Sequence, residues 1–236
     1  MGTVRRAATK GARAADYIPR EALMAAYLTM LAVAMLVPLP LYYLIRRGQN
    51  RRRATPPHPA REVLLALFVL FCGALAALLF DGFAPWHWAP QSVGRALAGH
   101  LSAGEGVNLV PLRTIGSYLA QAAMSGGRMA LSVVNLAGNV VMFVPLGLML
   151  PLLWRRWQRW WKMLLLAVLL PVGVEVVQLA LPRGVDVDDV LLNAVGIVLG
   201  WGLYLLAARL FPRLRGLAAS RAAQGRRDTA AVRPAA

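Results

Sequence analysis

Asn135 and Asn139 stand four residues apart, Glu175 and Gln178 stand three apart, and Asp189, Asn193, Gly196 and Gly200 follow one another at three- and four-residue steps. Each set shares one face if its segment is helical. All three sets sit within or beside strongly apolar stretches, where a polar side chain is expensive and therefore points to function. Amides at these positions can bond sugar hydroxyls or peptide groups. Glu175 can serve as acid or base, with Asp186 or Asp189 as its partner. The same two aspartates can also offer oxygen ligands to a divalent cation. The stretch Arg183-Gly-Val-Asp186-Val-Asp188-Asp189 sets three carboxylates beside one arginine, and Asn108-Leu-Val-Pro111-Leu-Arg113 adds an amide and a second cation. Arg113 and Arg183 suit a phosphate or carboxylate. His58, His87 and His100 are expected away from this cluster, and no Ser-His-Asp or HExxH arrangement accompanies it.

Plainer roles compete with these. Asn and Gln often join membrane helices, at about 0.6 kcal/mol per bond. Asp188 or Asp189 would cap the helix that follows. Gly138 would admit a neighbouring backbone, and Pro145 with Gly147 would shape a kink. Glu175 tips the balance toward a site, because no partner for it is evident within its own helix.

The elements that must position these residues follow from composition. Of 236 residues, 58% are hydrophobic and only 15% charged, against about 25% charged in soluble domains. The apolar residues come in blocks, and a membrane-crossing helix needs about 20 of them. Five windows qualify: Ala22 to Ile45, Val63 to Phe80, Leu131 to Leu153, Met163 to Leu181 and Val190 to Phe211. The first is too long for a signal peptide and ends in Arg46 and Arg47, so it is read as a retained span. Pro38 and Pro40 should kink or end it. The expected fold is an all-α polytopic transmembrane bundle. Residues 1–61 form a basic tail, a first span and a basic loop; residues 62–211 form a four-helix core; residues 212–236 form a basic tail. Between spans two and three, the apolar segment near Asn108 to Leu119 is too short to cross and should lie in the surface or re-enter.

Net charge is +16, which in a soluble chain would suggest nucleic acid. Here the cations sit in short runs between apolar blocks, as they do beside anionic lipid; nucleic acid is not expected as a partner. Cys72 is the single cysteine, so no internal disulfide and no cysteine metal site exist. No metal or cofactor is expected. Arg46, Arg47, Arg51, Arg52, Arg53 and Arg61 follow span one, Arg155, Arg156, Arg159 and Lys162 follow span three, and Arg209, Arg213 and Arg215 end span five. Cytoplasmic loops collect such residues, so the C-terminus is expected in the cytoplasm of a multi-pass cell-membrane protein. Five basic residues before the first window run against this arrangement. Trp154, Trp157, Trp160 and Trp161 interleave with the third-loop cations and read as an interfacial anchor. The polar faces of spans three, four and five then share the external half, with Glu175 about 9 Å from the outer end of its span.

At these residues the chain resembles the VanZ-like family of bacterial membrane proteins. The matching pieces are Asn108-Leu-Val-Pro111-Leu, Asn135-Leu-Ala-Gly138-Asn139-Val-Val-Met-Phe143-Val-Pro145-Leu-Gly147, Glu175-Val-Val-Gln178, and Arg183-Gly-Val-Asp186-Val-Asp188-Asp189-Val-Leu-Leu-Asn193-Ala-Val-Gly196. Leu112 stands where the family pattern has an aromatic residue, and the first span and both basic tails look like additions. The resemblance implies an association with resistance to the lipoglycopeptide teicoplanin, and it implies no reaction.

Three functions follow as expectations. The first is an outward-facing polar pocket for a lipid-linked cell-wall precursor or a lipoglycopeptide, lined by Asn108, Arg113, Asn135, Asn139, Glu175, Gln178, Arg183, Asp186, Asp189 and Asn193. The second is an intramembrane enzyme acting on an envelope lipid or glycan through Glu175, Asp186 and Asp189. The third, a transporter or channel, has neither internal repeats nor runs of intramembrane charge behind it.

Overall fold

The structure, a computed structural model, describes residues 20–51, 58–80, 90–103, 106–124, 129–181 and 184–215; Arg183 and both terminal tails lie outside these. Eight α-helices carry the described chain: α1 (Arg20–Leu36), α2 (Pro38–Arg51), α3 (Pro59–Leu79), α4 (Pro90–Ala98), α5 (Arg113–Met124), α6 (Met129–Leu153), α7 (Trp160–Gln178) and α8 (Val187–Leu210). Helices dominate because lipid offers no partner to a backbone N–H or C=O, so each span must bond internally.

Five stretches are long and apolar enough to cross a membrane: Leu28–Arg51, Pro59–Leu79, Val134–Leu153, Trp160–Gln178 and Val187–Leu210, with mean hydropathies of 1.8 to 2.6. They coincide with the five apolar windows, and the protein is a multi-pass helical membrane bundle. The first span breaks at Val37 between α1 and α2, where Pro38 cannot continue the hydrogen-bond ladder. The Val37 N–H still reaches the Val33 carbonyl at 2.9 Å, so the two halves form one kinked rod. Both halves pack on α3. At Gly73 of α3 a Cβ would overlap the Ala34 carbonyl oxygen, so only glycine lets α1 come this close.

The core is a cluster drawn from all four later spans: Leu75 and Leu79, Phe143, Leu146 and Leu150, Met163, Ala167 and Val174, and Ile197. Its tightest seam lies between α6 and α8, which run in the same direction with α7 antiparallel between them in sequence. Gly196 and Gly200 face the Val140 and Val144 carbonyls, and Gly147 faces Ile197 and Trp201. Gly147 thus serves close packing and not merely a kink. Gly138, expected to admit a neighbouring backbone, has nothing within 4 Å of its Cβ position. It lies above the seam, on the turn of α6 that faces open space.

At the basic end, Arg61 is only 4% exposed and donates from Nη2 to the Leu153 carbonyl at 3.2 Å. It belongs to the fold and not to the solvated loop charge. Its guanidinium serves the last turn of α6, where carbonyls lack helical partners and carry negative dipole charge. Close by, Arg46 pairs with Glu62, and Phe68 meets Trp154 edge-on at 5.4 Å between ring centroids. Arg61→Met should therefore lower stability by about 2 kcal/mol, read as a drop in thermal midpoint in detergent.

The far end of the bundle is closed by the segment between spans two and three. It holds α4, a π-helical turn Gly99–Ala103, a two-residue strand β1 (Val107–Asn108) and α5. β1 pairs in parallel with β2 (Val185–Asp186), with Val107 opposite Val185 and Asn108 opposite Asp186. The apolar segment expected near Asn108 to Leu119 is thus a strand, a turn and the start of a short helix lying against α6 and α8.

Candidate functional site

The turn between α7 and α8 carries three acids, and each has a different task. Asp186 is the N-cap of α8: its Oδ1 accepts the Asp188 N–H at 2.9 Å, satisfying one of the donors every helix start leaves open. The same carboxylate accepts Asn108 Nδ2 at 2.9 Å and the Thr114 hydroxyl, while Asn108 Nδ2 also donates to Thr114 Oγ1 at 3.0 Å. Asp188, expected to cap its own helix, is fully buried and caps α5 instead. It takes the Leu112 N–H at 2.5 Å, the Thr114 N–H at 2.8 Å and the Ile115 N–H at 3.0 Å. An anion at a helix N-terminus is favoured by both the free N–H groups and the helix dipole. Asp189, on the third side of the helix start, accepts Asn139 Nδ2 at 2.6 Å. Asp188 and Asp189 are successive helical residues and point about 100° apart, so one reaches α5 and the other α6.

These bonds frame a cavity of about 380 Å³. Asn108, Asn135, Asn139, Asp186 and Asp189 line it, joined by Thr114 and Tyr118 of α5, the backbone at Gly106 and Gly184, and the apolar Leu136, Val185 and Leu192. Asn135 and Asn139 occupy one face of α6, and Thr114 and Tyr118 occupy one face of α5 at the same four-residue spacing. α5 is the roof of the cavity; α6 and the start of α8 are its walls.

Of the other expected site residues, Glu175, Gln178, Asn193 and Arg113 are not among those that line it. Glu175 is 6% exposed, and its Oε2 accepts the Asp186 N–H at 3.1 Å. Its partner lay in the following turn and not in its own helix, so Glu175 stands behind the wall and holds β2 in place. Gln178 is buried and donates to the Leu79 carbonyl at 2.9 Å, closing the end of α3. Asn193 is 2% exposed, one turn beyond Asp189 along α8, within the helix seam. Arg113 is exposed at the first position of α5 and does not line the cavity. Arg183 lies outside the described residues.

His100, expected elsewhere, sits beside Gly106, whose backbone lines the cavity. Its Nδ1 is 2.9 Å from the Leu179 carbonyl, and its Nε2 is within 4 Å of the Cβ position of Gly106. Thr114 and Tyr118 line the cavity and Asp188 holds the start of α5, and spacing alone did not single out these roles. A helix read over Arg113–Met124 would have shown Thr114 and Tyr118 four apart. Among the described residues, no three His, Cys, Asp or Glu side chains converge in a metal-binding arrangement. The cavity offers oxygen acceptors, amide donors and hydroxyls, which is the chemistry of polyol and amide recognition.

The comparisons with known proteins add one finding. No curated protein and no solved structure matches the chain. A family profile described as VanZ/LLP1 matches residues 68–208, more than half of the chain and every residue that lines the cavity. The chain therefore belongs to the VanZ/LLP1 family.

Proposed function

We propose that this protein binds, at the external face of the cell membrane, the hydrophilic head of a lipid-linked cell-wall precursor or a lipoglycopeptide. The observation that carries the reading is the cavity itself. A polar chamber of about 380 Å³, lined by three asparagines, two aspartates and two hydroxyl residues, sits at one end of an otherwise apolar bundle. Ligand sites commonly measure about 300–1,000 Å³, so this one suits a head the size of a sugar or a short peptide. The basic residues Arg155, Arg156, Arg159, Lys162 and Arg209 lie at the opposite end of the spans. By the positive-inside rule that end is cytoplasmic, together with the C-terminus, and the cavity faces outward. A role in teicoplanin resistance follows if the captured group is kept from meeting the antibiotic, or the antibiotic from its target.

Binding fits the geometry better than catalysis. Both Asp186 oxygens and the Glu175 Oε2 are engaged as acceptors of bonds that hold the fold, which leaves them badly placed to exchange protons with a substrate. Glu175→Gln keeps an acceptor for the Asp186 N–H and is expected to keep binding, whereas Glu175→Ala should release β2 and lose it. An enzyme using Glu175 as acid or base would lose activity in both.

The direct test is expression in a susceptible host with and without Asn139→Leu. The wild-type protein should change teicoplanin susceptibility and retain an envelope lipid through purification. Asn139→Leu should weaken that retention about tenfold, equivalent to about 1.4 kcal/mol. Unchanged susceptibility at normal surface expression, together with equal lipid retention in the two proteins, would refute the proposal.

A further inference from the structure

The turn that carries Asn108 into the cavity also displays four apolar residues that the cavity does not use. Leu109, Val110 and Leu112 are 72%, 55% and 61% exposed, and Pro111 between them is exposed as well. None belongs to a helix long enough to cross the membrane, so residence along a span does not account for them. A run of exposed apolar residues in a turn signals a partner.

The turn is also held firmly. The Val110 N–H donates to Asn108 Oδ1 at 3.2 Å, and the Leu112 N–H donates to Asp188 at 2.5 Å. Leu112 takes a φ of 65°, a region that residues with bulky side chains rarely enter and glycine enters freely. The Leu112 side chain buries little against the protein in return. A leucine in a glycine conformation, pointing outward, makes sense when something outside the protein covers it.

The position of the ridge says what that is. Asn108 and Thr114, which bracket it, both line the cavity, so the ridge is the surface next to the cavity mouth. We propose that the ligand is an amphiphile held at two points. Its polar head enters the cavity among Asn108, Asn135, Asn139 and Asp189, and its hydrocarbon chain lies across Leu109, Val110 and Leu112. This inference rests on the cavity reading above and adds a second contact region to it. Because the two contacts are tethered, each raises the local concentration of the other.

The test uses an alkyl maltoside with a diazirine at the end of its chain, added to the full-length protein in phosphatidylcholine nanodiscs. Light should label residues 109–112 saturably, and excess unlabelled alkyl maltoside should compete. The labelling should fall about tenfold in Asn139→Leu and in Asn135→Leu, the latter an exposed lining residue. Labelling of the lipid-facing Leu165, Val168 and Leu169 should not change. If the ridge is labelled without saturation, or as strongly in both variants, it meets bulk lipid only and the inference falls. If a radiolabelled maltoside binds saturably but the ridge is never labelled, the inference falls while the cavity reading stands. If neither probe binds saturably, both fall together.

Discussion

Asp188→Ala is expected to unfasten the roof of the cavity. Asp188 is completely buried, and its two oxygens accept the N–H groups of Leu112, Thr114 and Ile115. Hydrogen bonds to a charged group are worth roughly 1.5–3 kcal/mol each, and a buried donor left without a partner costs about 1–3 kcal/mol. These contributions overlap, so the variant should lose about 4 kcal/mol, at the upper end of what single substitutions do. The loss should be local before it is global, because α5 is short and lies against α6 and α8 instead of crossing the bundle. Amide exchange over Arg113–Met124 should accelerate sharply while α7 stays protected, and ligand retention should vanish as Thr114 and Tyr118 leave the cavity. Asp188→Asn keeps one acceptor oxygen and should show a smaller version of the same change. Unaltered exchange in α5 for Asp188→Ala would show that this carboxylate does not hold the roof.

The contrast among the three acids shows where sequence reading stops. Asp186, Asp188 and Asp189 look alike as a string, and capping is the expected task for an acid there. That Asp188 caps α5 and not its own helix depends on a chain segment more than 70 residues earlier, brought in by the β1–β2 pairing. Nothing local encodes that meeting. The spans, by contrast, were legible because hydrocarbon admits only internally bonded helices of a set length. The Asn135–Asn139 pair was legible because helical spacing makes a face, and that face does line the cavity. Glu175, Gln178 and Asn193 obeyed the same spacing rule yet lie buried in the structure. Periodicity says which residues share a face, but not whether the face meets a cavity, a turn or another helix.

The same limit applies to the glycines, and it leads to the second large effect. Gly138, Gly147, Gly196, Gly200 and Gly202 all lie in α6 or α8, yet only three of them set how closely the helices approach. A Cβ on Gly200 would overlap the Val144 carbonyl oxygen, one on Gly196 the Val140 carbonyl oxygen, and one on Gly147 the Ile197 carbonyl oxygen. These obstacles are main-chain atoms, which cannot swing aside as a side chain can. A side chain at any of the three must therefore move a whole helix. Gly200→Ala should cost about 3 kcal/mol, as overpacking of a tight interface does, and Gly200→Leu should prevent the seam from forming. Gly138→Ala and Gly202→Ala, with nothing within 4 Å, should leave the thermal midpoint nearly unchanged and serve as controls for the loss of glycine itself. The seam also sets the cavity width, because the 2.6 Å bond between Asn139 and Asp189 crosses from α6 to α8 just above it. A displacement of one helix by the radius of a methyl group lengthens that bond beyond hydrogen-bonding range. Gly200→Ala should thus weaken ligand retention as well as stability, although Gly200 lies about three turns from Asp189 along α8 and lines no part of the cavity. Equal midpoints for Gly200→Ala and Gly202→Ala would mean that α6 and α8 do not pack as closely as the bundle described here requires.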